Sequence, residues 1–281
     1  MLLEPAGDGL LAVSDHGWWM WGELVRDAQG VPRGLQKVSM APILDIDGAR
    51  LPPIGRDAEA LTLVHSHLGP RVLVAFERWH RVWTYPLGRK PPVFVPTMLA
   101  AAQPLQLPEA LLHHPPNGGL EAVTEIAPGV LVLFSEQARA DDEALRAWVY
   151  ELSSRRVTPF MLIPVEPGFS PTAAAVWQDC CLLVLQRRYH VIAGPAAAIV
   201  TIPLSALRPQ ARLKGRELVR LAPPLVVDNF EALAVEPGPD GTARLLLLSD
   251  DNYRRSQRTL LLTFAWERGP KAPAAHRPSF R

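Results

Sequence analysis

The sequence predicts an all-β fold, a β-propeller, on three observations. The 29 prolines of the 281-residue chain lie between short apolar runs, which indicates many short strands joined by turns. Only a short segment near 108–113 has the pattern of a helix. Units of about four strands recur at intervals of 50–64 residues, as in propeller blades. A β-sandwich is the alternative, but it does not explain why acidic residues recur at the same place in each unit.

Five units follow one another along the chain. Their strand-like runs are 10–15 and 18–21; 57–64, 72–78 and 81–85; 117–123, 130–136, 147–150 and 160–165; 171–176, 182–186 and 198–202; and 227–233, 247–252 and 259–264. The strand pattern begins within the first dozen residues without a clear first strand. We therefore predict a six-bladed propeller whose N-terminal blade is incomplete.

The composition limits the number of domains and the kinds of binding partner that the chain is expected to have. With 48% hydrophobic residues, the chain can bury the core of one large domain, predicted at 1–266, followed by a poorly ordered tail at 267–281. The 29 basic and 28 acidic residues lack the basic excess of a nucleic-acid binder. No apolar run is long enough for a membrane span, and residues 1–5 do not resemble a signal peptide. We expect a monomer with two free thiols, at Cys180 and Cys181.

Acidic residues recur at two places in the units. The first strands carry Glu59, Glu121 and Glu231, and the second strands end in Asp15, Glu77, Glu136 and Asp250, with Gln186 in the fourth unit. Because the first strand of a propeller blade lines the central channel, these carboxylates are predicted to converge. A ring of carboxylates is the ligand set of a hard cation such as Ca²⁺, and the sparse histidines and cysteines do not form a zinc pattern.

Two other interpretations of the acids stay open. An acid at the end of a strand often accepts hydrogen bonds from the backbone N–H groups of a turn. A buried acid can also pair with arginine, and Arg78, Arg187 and Arg258 follow second strands or lie in the next turn.

The motifs together resemble the phytase-like family, also called "esterase-like activity of phytase". The resemblance is carried in chain order by 14–18 (SDHGW), 57–60 (DAEA), 76–78 (FER), 117–122 (NGGLEA), 135–136 (SE), 185–188 (LQRR), 228–232 (DNFEA), 249–252 (SDDN) and 257–261 (QRTLL). It implies a propeller-like domain of bacterial exported proteins, hence a periplasmic or secreted location, and hydrolysis of esters or phosphoesters. The family's acidic positions fall on Asp57, Glu59, Glu77, Glu121, Glu136, Asp228, Glu231, Asp250 and Asp251.

This chain departs from the family pattern in several places. Ala60 and Ala232 replace a glycine that usually follows the motif glutamate, and Gln186 replaces an acid. An acid of the fourth unit is replaced within 173–175, which are all alanine. These changes predict that one blade contributes less than the others to a shared site.

The preferred functional hypothesis is a Ca²⁺-dependent hydrolase of small-molecule esters or phosphoesters. Its candidate catalytic residues are Glu59, Glu121, Glu231, Arg187 and Arg258, and its candidate metal ligands are the nine acids above. The alternative is a non-catalytic propeller whose acids hold a structural cation or staple turns, and which binds a protein or small-molecule partner.

Overall fold

A computed structural model of the protein describes residues 1–4, 8–178, 180–192, 194–238 and 242–266. The described residues form five mainly antiparallel sheets, which are the blades of a propeller. Blades 1 to 3 comprise β1 (Leu2–Leu3), β2 (Gly9–Ser14), β3 (Trp18–Arg26) and β4 (Pro32–Pro42); β5 (Ala58–Ser66), β6 (Gly69–Phe76), β7 (Arg81–Pro86) and β8 (Gln103–Pro104); and β9 (Leu120–Ala127), β10 (Val130–Arg139), β11 (Leu145–Glu151) and β12 (Arg156–Leu162).

Blades 4 and 5 complete the ring. They comprise β13 (Ser170–Trp177), β14 (Cys181–His190), β15 (Gly194–Pro203) and β17 (Arg216–Leu221); and β18 (Phe230–Pro237), β19 (Ala243–Ser249) and β20 (Leu261–Trp266). Between β15 and β17, β16 (Arg212–Leu213) crosses to blade 3 and pairs with β12 in parallel. The first strands of successive blades contact one another, and β1 contacts both β5 and β18, so the ring closes.

The propeller class is confirmed, but the predicted number of six blades is wrong. Each of the five repeated units supplies one sheet, and blade 5 packs directly on blade 1, so the described chain leaves no sequence for a sixth blade. Blade 1 has four strands, but β1 spans two residues where the other first strands span eight or nine. The predicted tail at 267–281 lies outside the described residues.

Helical structure is limited to short segments. α1 spans Val95–Met98, and 3₁₀ turns lie at Pro53–Gly55, Glu109–Leu111 and Leu204–Ala206. The turn at Glu109–Leu111 falls within the helix predicted near 108–113. No described helix is long and apolar enough to span a membrane.

The second strand of each blade is apolar because it is covered on both faces. In β14, Leu182 and Val184 pack in the core shared with blade 3, whereas Leu183 and Leu185 pack in the core shared with blade 5. Alternate side chains of a strand point to opposite faces, so a continuous apolar run serves two interfaces. Cys181 begins β14, and neither it nor the preceding Cys180 forms a disulfide.

Blades 5 and 1 are joined by apolar packing and by one ion-pair network. Arg26 at the end of β3 donates two hydrogen bonds of 2.8 Å to the carboxylate of Glu236 on β18. Arg244 on β19 lies 2.9 Å from the same carboxylate and also donates to the carbonyl of Gly30 at 2.6 Å. The side chains of Arg26, Glu236 and Arg244 are 21%, 15% and 12% exposed, so this network is largely shielded from water.

Replacing Glu236 with alanine is expected to destabilise the ring closure. Two poorly solvated guanidinium groups would lose their shared carboxylate, which costs ~2–4 kcal/mol and lowers the melting temperature by roughly 5–15 °C in a chain of this size. Thermal unfolding followed by circular dichroism measures the change. Glu143→Ala is the control, because Glu143 is 78% exposed in its pair with Arg212 and should contribute below ~1 kcal/mol. Equal shifts in the two variants would contradict this role for Glu236.

Candidate functional site

Four first strands have a β-bulge at equivalent places near one mouth of the channel. In blade 2, Ala58 pairs with Phe76 and Ala60 with Ala75, so Glu59 is the extra residue of the bulge and is not paired with a residue of β6. A bulge of this kind re-aims the extra side chain. The residues at the bulged position are Glu59, Glu121, Thr172 and Glu231. The recurrent first-strand glutamates therefore share a structural cause for pointing toward the channel mouth.

The strand register also defines a second acidic position at the channel mouth, at the end of the second strand of a blade. The residue after the outermost pair is Glu77 in blade 2, Glu136 in blade 3 and Asp250 in blade 5, and the backbone N–H of each donates across the strand pair at 2.8–3.0 Å. Asp15 follows the end of β2 in blade 1. In blade 4 the equivalent residue is Arg187.

The assignment of Gln186 to the acidic position is wrong by one residue. Gln186 pairs with Pro171, is fully buried, and its Oε1 accepts a hydrogen bond from the N–H of Val165 at 3.0 Å. Blade 4 therefore contributes Thr172 and Arg187 where blades 2, 3 and 5 contribute two carboxylates each. The hydroxyl of Thr172 donates to the carbonyl of Phe230 at 3.1 Å, so it ties blade 4 to blade 5.

Five of the nine predicted metal ligands meet in two overlapping groups. Asp57, Glu59 and Glu77 each offer a carboxylate oxygen within 4.8 Å of the others, and so do Glu77, Glu121 and Glu136. Glu77 belongs to both groups. The groups join the adjacent blades 2 and 3 at the channel mouth, and both consist of carboxylate oxygens alone.

Glu77 is held in place by a glycine loop that the sequence pattern alone marks only as a turn. The N–H of Gly119 donates to Oε1 of Glu77. The carbonyl of Gly118 accepts from the hydroxyl of Ser135 at 3.1 Å, and His114 lies 3.0 Å from the same hydroxyl. A Cβ at Gly119 would lie 2.8 Å from Nδ1 of His80 and 3.3 Å from Cγ of Glu77, so the close approach requires glycine.

Burial, together with crowding of like charges, shifts the pKa values of this group. Burial raises the pKa of Glu59 well above its usual value, and the neighbouring carboxylates, Glu121 first, raise it further. Burial likewise raises the pKa of Glu121, with Glu136 and Glu77 adding to the effect and Arg187 opposing it. Burial raises the pKa of Glu77, although the hydrogen bonds from the N–H groups of Gly119 and Gly118 lower it. These carboxylates therefore favour a bound proton or a bound cation.

The other predicted ligands are engaged by the protein itself. Asp228 accepts the N–H groups of Asn229 and Arg258 at 3.0 and 3.1 Å. Asp251 accepts the N–H of Tyr253 at 2.9 Å and the hydroxyl of Thr259 at 3.2 Å. These hydrogen bonds stabilise the turns, as expected for acids at strand ends.

Asp250 and Glu231 lie in the ring but outside the two groups. One oxygen of Asp250 accepts the N–H of Asn252 at 2.9 Å. Glu231 accepts from the amide of Asn229 at 2.6 Å and lies 3.4 Å from Nη2 of Arg187. Burial raises the pKa of Glu231 to about 7, and the charge of Arg187 opposes the rise.

The candidate arginines have different surroundings. Arg187 is mostly buried and is electrostatically coupled to both Glu121 and Glu231, so it divides the carboxylates of blade 3 from those of blade 5. Arg78 binds Asp57, with Nε 2.6 Å from the carboxylate. Arg258 lies 3.6 Å from Asp228 and its side chain is mostly exposed, so its contact is a surface ion pair.

A cleft opens beside the carboxylates, and the sequence pattern does not predict it. Its volume is about 260 Å³. Its lining includes Glu59, Glu121 and Glu231. It also includes four large apolar side chains of blades 1 and 5, namely Trp18, Met20, Met40 and Leu248.

Comparison with known proteins identifies the family. The model of the family described as "Phytase-like: Esterase-like activity of phytase" matches residues 1–253. The chain belongs to the phytase-like family. Comparison with curated proteins gives no match.

The solved structures that this chain is similar to are remote in sequence. A thermostable family-43 glycoside hydrolase is 8% identical, with a TM-score of 0.50 over 97% of this chain and 96% of that one. An endo-arabinase from Bacteroides thetaiotaomicron is 13% identical, with a TM-score of 0.48 over 94% of each chain. An α-L-arabinofuranosidase from Clostridium thermocellum is 9% identical, with a TM-score of 0.47 over 92% of this chain and 89% of that one. At these identities the first similarity establishes the fold alone.

The crowded carboxylates predict a stability that depends on pH when divalent cations are chelated. The folded-state pKa of these acids lies above the ordinary glutamate value of 4.5, so the folded chain binds more protons than the unfolded chain between the two values. Stability should therefore be greatest in acid and fall as the pH rises from about 5 to about 8. Thermal melts in EDTA across this range measure the fall.

Glu121→Gln provides the decisive comparison. It removes one crowded charge, so it should raise the melting temperature relative to the unmodified protein at pH ~8 by more than at pH ~5. Glu109→Gln is the control, because the side chain of Glu109 is 87% exposed and its removal should change neither value. A Glu121→Gln shift that is the same at both pH values would show that the ring carboxylates are not crowded in solution.

Proposed function

We propose that this protein is a calcium-dependent hydrolase of small-molecule carboxylic or phosphoric esters. The observation that carries the proposal is Glu77, which two groups of three carboxylates share at the channel mouth. The family description, esterase-like activity of phytase, supports the same class of reaction.

The donor set fits a hard cation. Calcium takes six to eight oxygen ligands, and carboxylates are its usual protein ligands. Each group offers three carboxylates, with no histidine or cysteine among them in the described chain, so softer metals such as zinc fit less well. Asp57, Glu59, Glu77, Glu121 and Glu136 are the proposed ligands.

A bound cation would supply two effects, polarisation of the ester oxygen and a lower pKa for a bound water. The chain's own groups supply the rest. Glu59 and Glu121 both line the cleft, so whichever of them is ionised and keeps an oxygen free of the cation can accept a proton from the attacking water. The water oxygen bonds to the carbonyl carbon or phosphorus, and the bond to the leaving oxygen breaks. The leaving oxygen then takes up a proton, so the products are an alcohol and an acid.

Arg187 is proposed as a positioning residue. Its guanidinium lies 3.4 Å from Glu231 and lowers the pKa of Glu121, so it orders two carboxylates of the ring. It does not line the cleft, and Arg258 is held at the surface by Asp228. Neither arginine is therefore placed to bind an anionic group within the cleft.

A second candidate function is a non-catalytic propeller that binds a protein or small-molecule partner. The observation in its favour is that Asp228, Asp250 and Asp251 accept backbone N–H groups of their own loops. On this hypothesis the acids of blades 2 and 3 hold a structural cation, and the same site has no turnover.

Glu77→Gln tests whether the two carboxylate groups on blades 2 and 3 bind the cation. Loss of the shared ligand should weaken Ca²⁺ binding by at least about tenfold, since even an outer-shell partner contributes that much. Isothermal titration calorimetry measures the affinity, and hydrolysis of 4-nitrophenyl phosphate and 4-nitrophenyl acetate with and without Ca²⁺ measures the activity. Asp250→Asn is the matched control, because it occupies the equivalent position of blade 5 outside both groups and should keep the affinity within a few fold.

The possible results distinguish the two functions. Calcium-dependent turnover that is lost in Glu77→Gln and kept in Asp250→Asn supports the hydrolase. Calcium binding without turnover of either ester favours the non-catalytic propeller. Unchanged calcium binding in Glu77→Gln excludes the site.

A further inference from the structure

Part of the cleft lining is apolar. Met20 and Met40 are directly opposite one another in the pairing of β3 with β4, and both line the cleft, as does Trp18. Leu248 of β19, in blade 5, also lines it. Met40 is 61% exposed, so a flexible apolar side chain is left uncovered at this position. Methionine packs against varied apolar shapes because its unbranched thioether is adaptable.

The cleft lining is also acidic. Six acidic residues belong to it, namely Asp15, Glu59, Glu121, Glu231, Asp250 and Asp251. No lysine, arginine or histidine is among the described residues that line it. A substrate with several phosphate groups would therefore bring its own charge against carboxylates, with no basic side chain to pair with it. The walls of the cleft exclude a polyanion and accept an uncharged group.

The size of the cleft limits what it can hold. Its volume of about 260 Å³ lies just below the range of about 300–1,000 Å³ typical of sites for drug-sized ligands. Apolar and acidic side chains line the same cleft, and Glu59 and Glu121 belong both to this lining and to the two proposed cation groups. One molecule can therefore place a polar head at these carboxylates and one slender arm against the apolar side chains of blades 1 and 5.

We propose that the substrate is a small monoester with a single uncharged apolar arm, and that Trp18, Met20, Met40 and Leu248 bind this arm. The inference rests on the proposed hydrolase, since it assigns the substrate class of that same site. Water adds to the carbon or phosphorus of the head, the bond to the leaving oxygen breaks, and that oxygen takes up a proton. The arm belongs to either the acid or the alcohol product.

The test compares esters that differ only in the arm. Hydrolysis of methyl acetate, methyl octanoate and octyl acetate is followed by acid release in the presence of Ca²⁺, with inositol hexakisphosphate as the polyanionic comparison. We expect kcat/KM for at least one octyl or octanoyl ester to exceed that for methyl acetate at least about tenfold, because buried methylene groups add binding. Inositol hexakisphosphate should release no phosphate.

Two variants test where the apolar arm of the substrate binds. Met40→Lys places a charge among the apolar side chains of the cleft and should reduce the preference for the long arm to near unity. Val38→Lys is the matched control, because Val38 is 50% exposed on the same strand and does not line the cleft, so the preference should stay. Both positions are exposed, and circular dichroism confirms that each variant folds.

A binding measurement distinguishes failure of this inference from failure of the hydrolase. Octylphosphonate and methylphosphonate are titrated by calorimetry with Ca²⁺ present. Tighter binding of octylphosphonate that is lost in Met40→Lys supports the arm site even if no ester is turned over, a result that would overturn only the hydrolase. Ester turnover with equal kcat/KM for short and long arms, or a preference unchanged in Met40→Lys, would overturn the arm site and leave the hydrolase standing.

Discussion

The site is governed by the repulsion among carboxylates that two neighbouring blades hold at one channel mouth. Glu77 lies at the centre of this constraint, since it is within ligand distance of the acids on either side. The surroundings offset part of the charge: Arg78 pairs with Asp57, and the glycine loop donates N–H groups to Glu77. Burial and then the neighbouring carboxylates raise the pKa values of Glu59 and Glu121, so ionising all of these acids together is unfavourable. A cation is the simplest group that relieves it without protonation.

Blade 4 makes the ring asymmetric. The bulge and the register place Thr172 and Arg187 where the neighbouring blades hold carboxylates. Arg187 lies between the acids of blade 3 and Glu231 of blade 5. Its positive charge lowers the pKa of both Glu121 and Glu231 and interrupts the ring of carboxylates at the channel mouth. The acids of blade 5 are also the ones that backbone N–H groups satisfy. The two groups of three crowded carboxylates therefore lie on blades 2 and 3, beside the cleft.

The propeller class and the convergence of Glu59, Glu121 and Glu231 could be predicted from sequence, because strand alternation and a repeated bulge act in the same way in each blade. The blade number could not, since it depends on how the blades pack and where the ring closes. The pairing register of blade 4 could not be predicted either, and it places Arg187 instead of Gln186 at the acidic position. Whether an acid such as Asp228 faces a cation or a backbone N–H depends on turn conformation, which strand patterns do not specify.

Stability and the proposed chemistry occupy opposite ends of the blades. The network of Arg26, Glu236 and Arg244 joins blades 5 and 1 near the C-terminal end of β18, whereas Glu231 lies at the N-terminal end of the same strand. The two-residue β1 leaves Ala12 and Val13 of β2 to line the cleft directly. The ion pairs and the apolar packing between blades 5 and 1 therefore close the ring independently of the crowded carboxylates, which lie on blades 2 and 3.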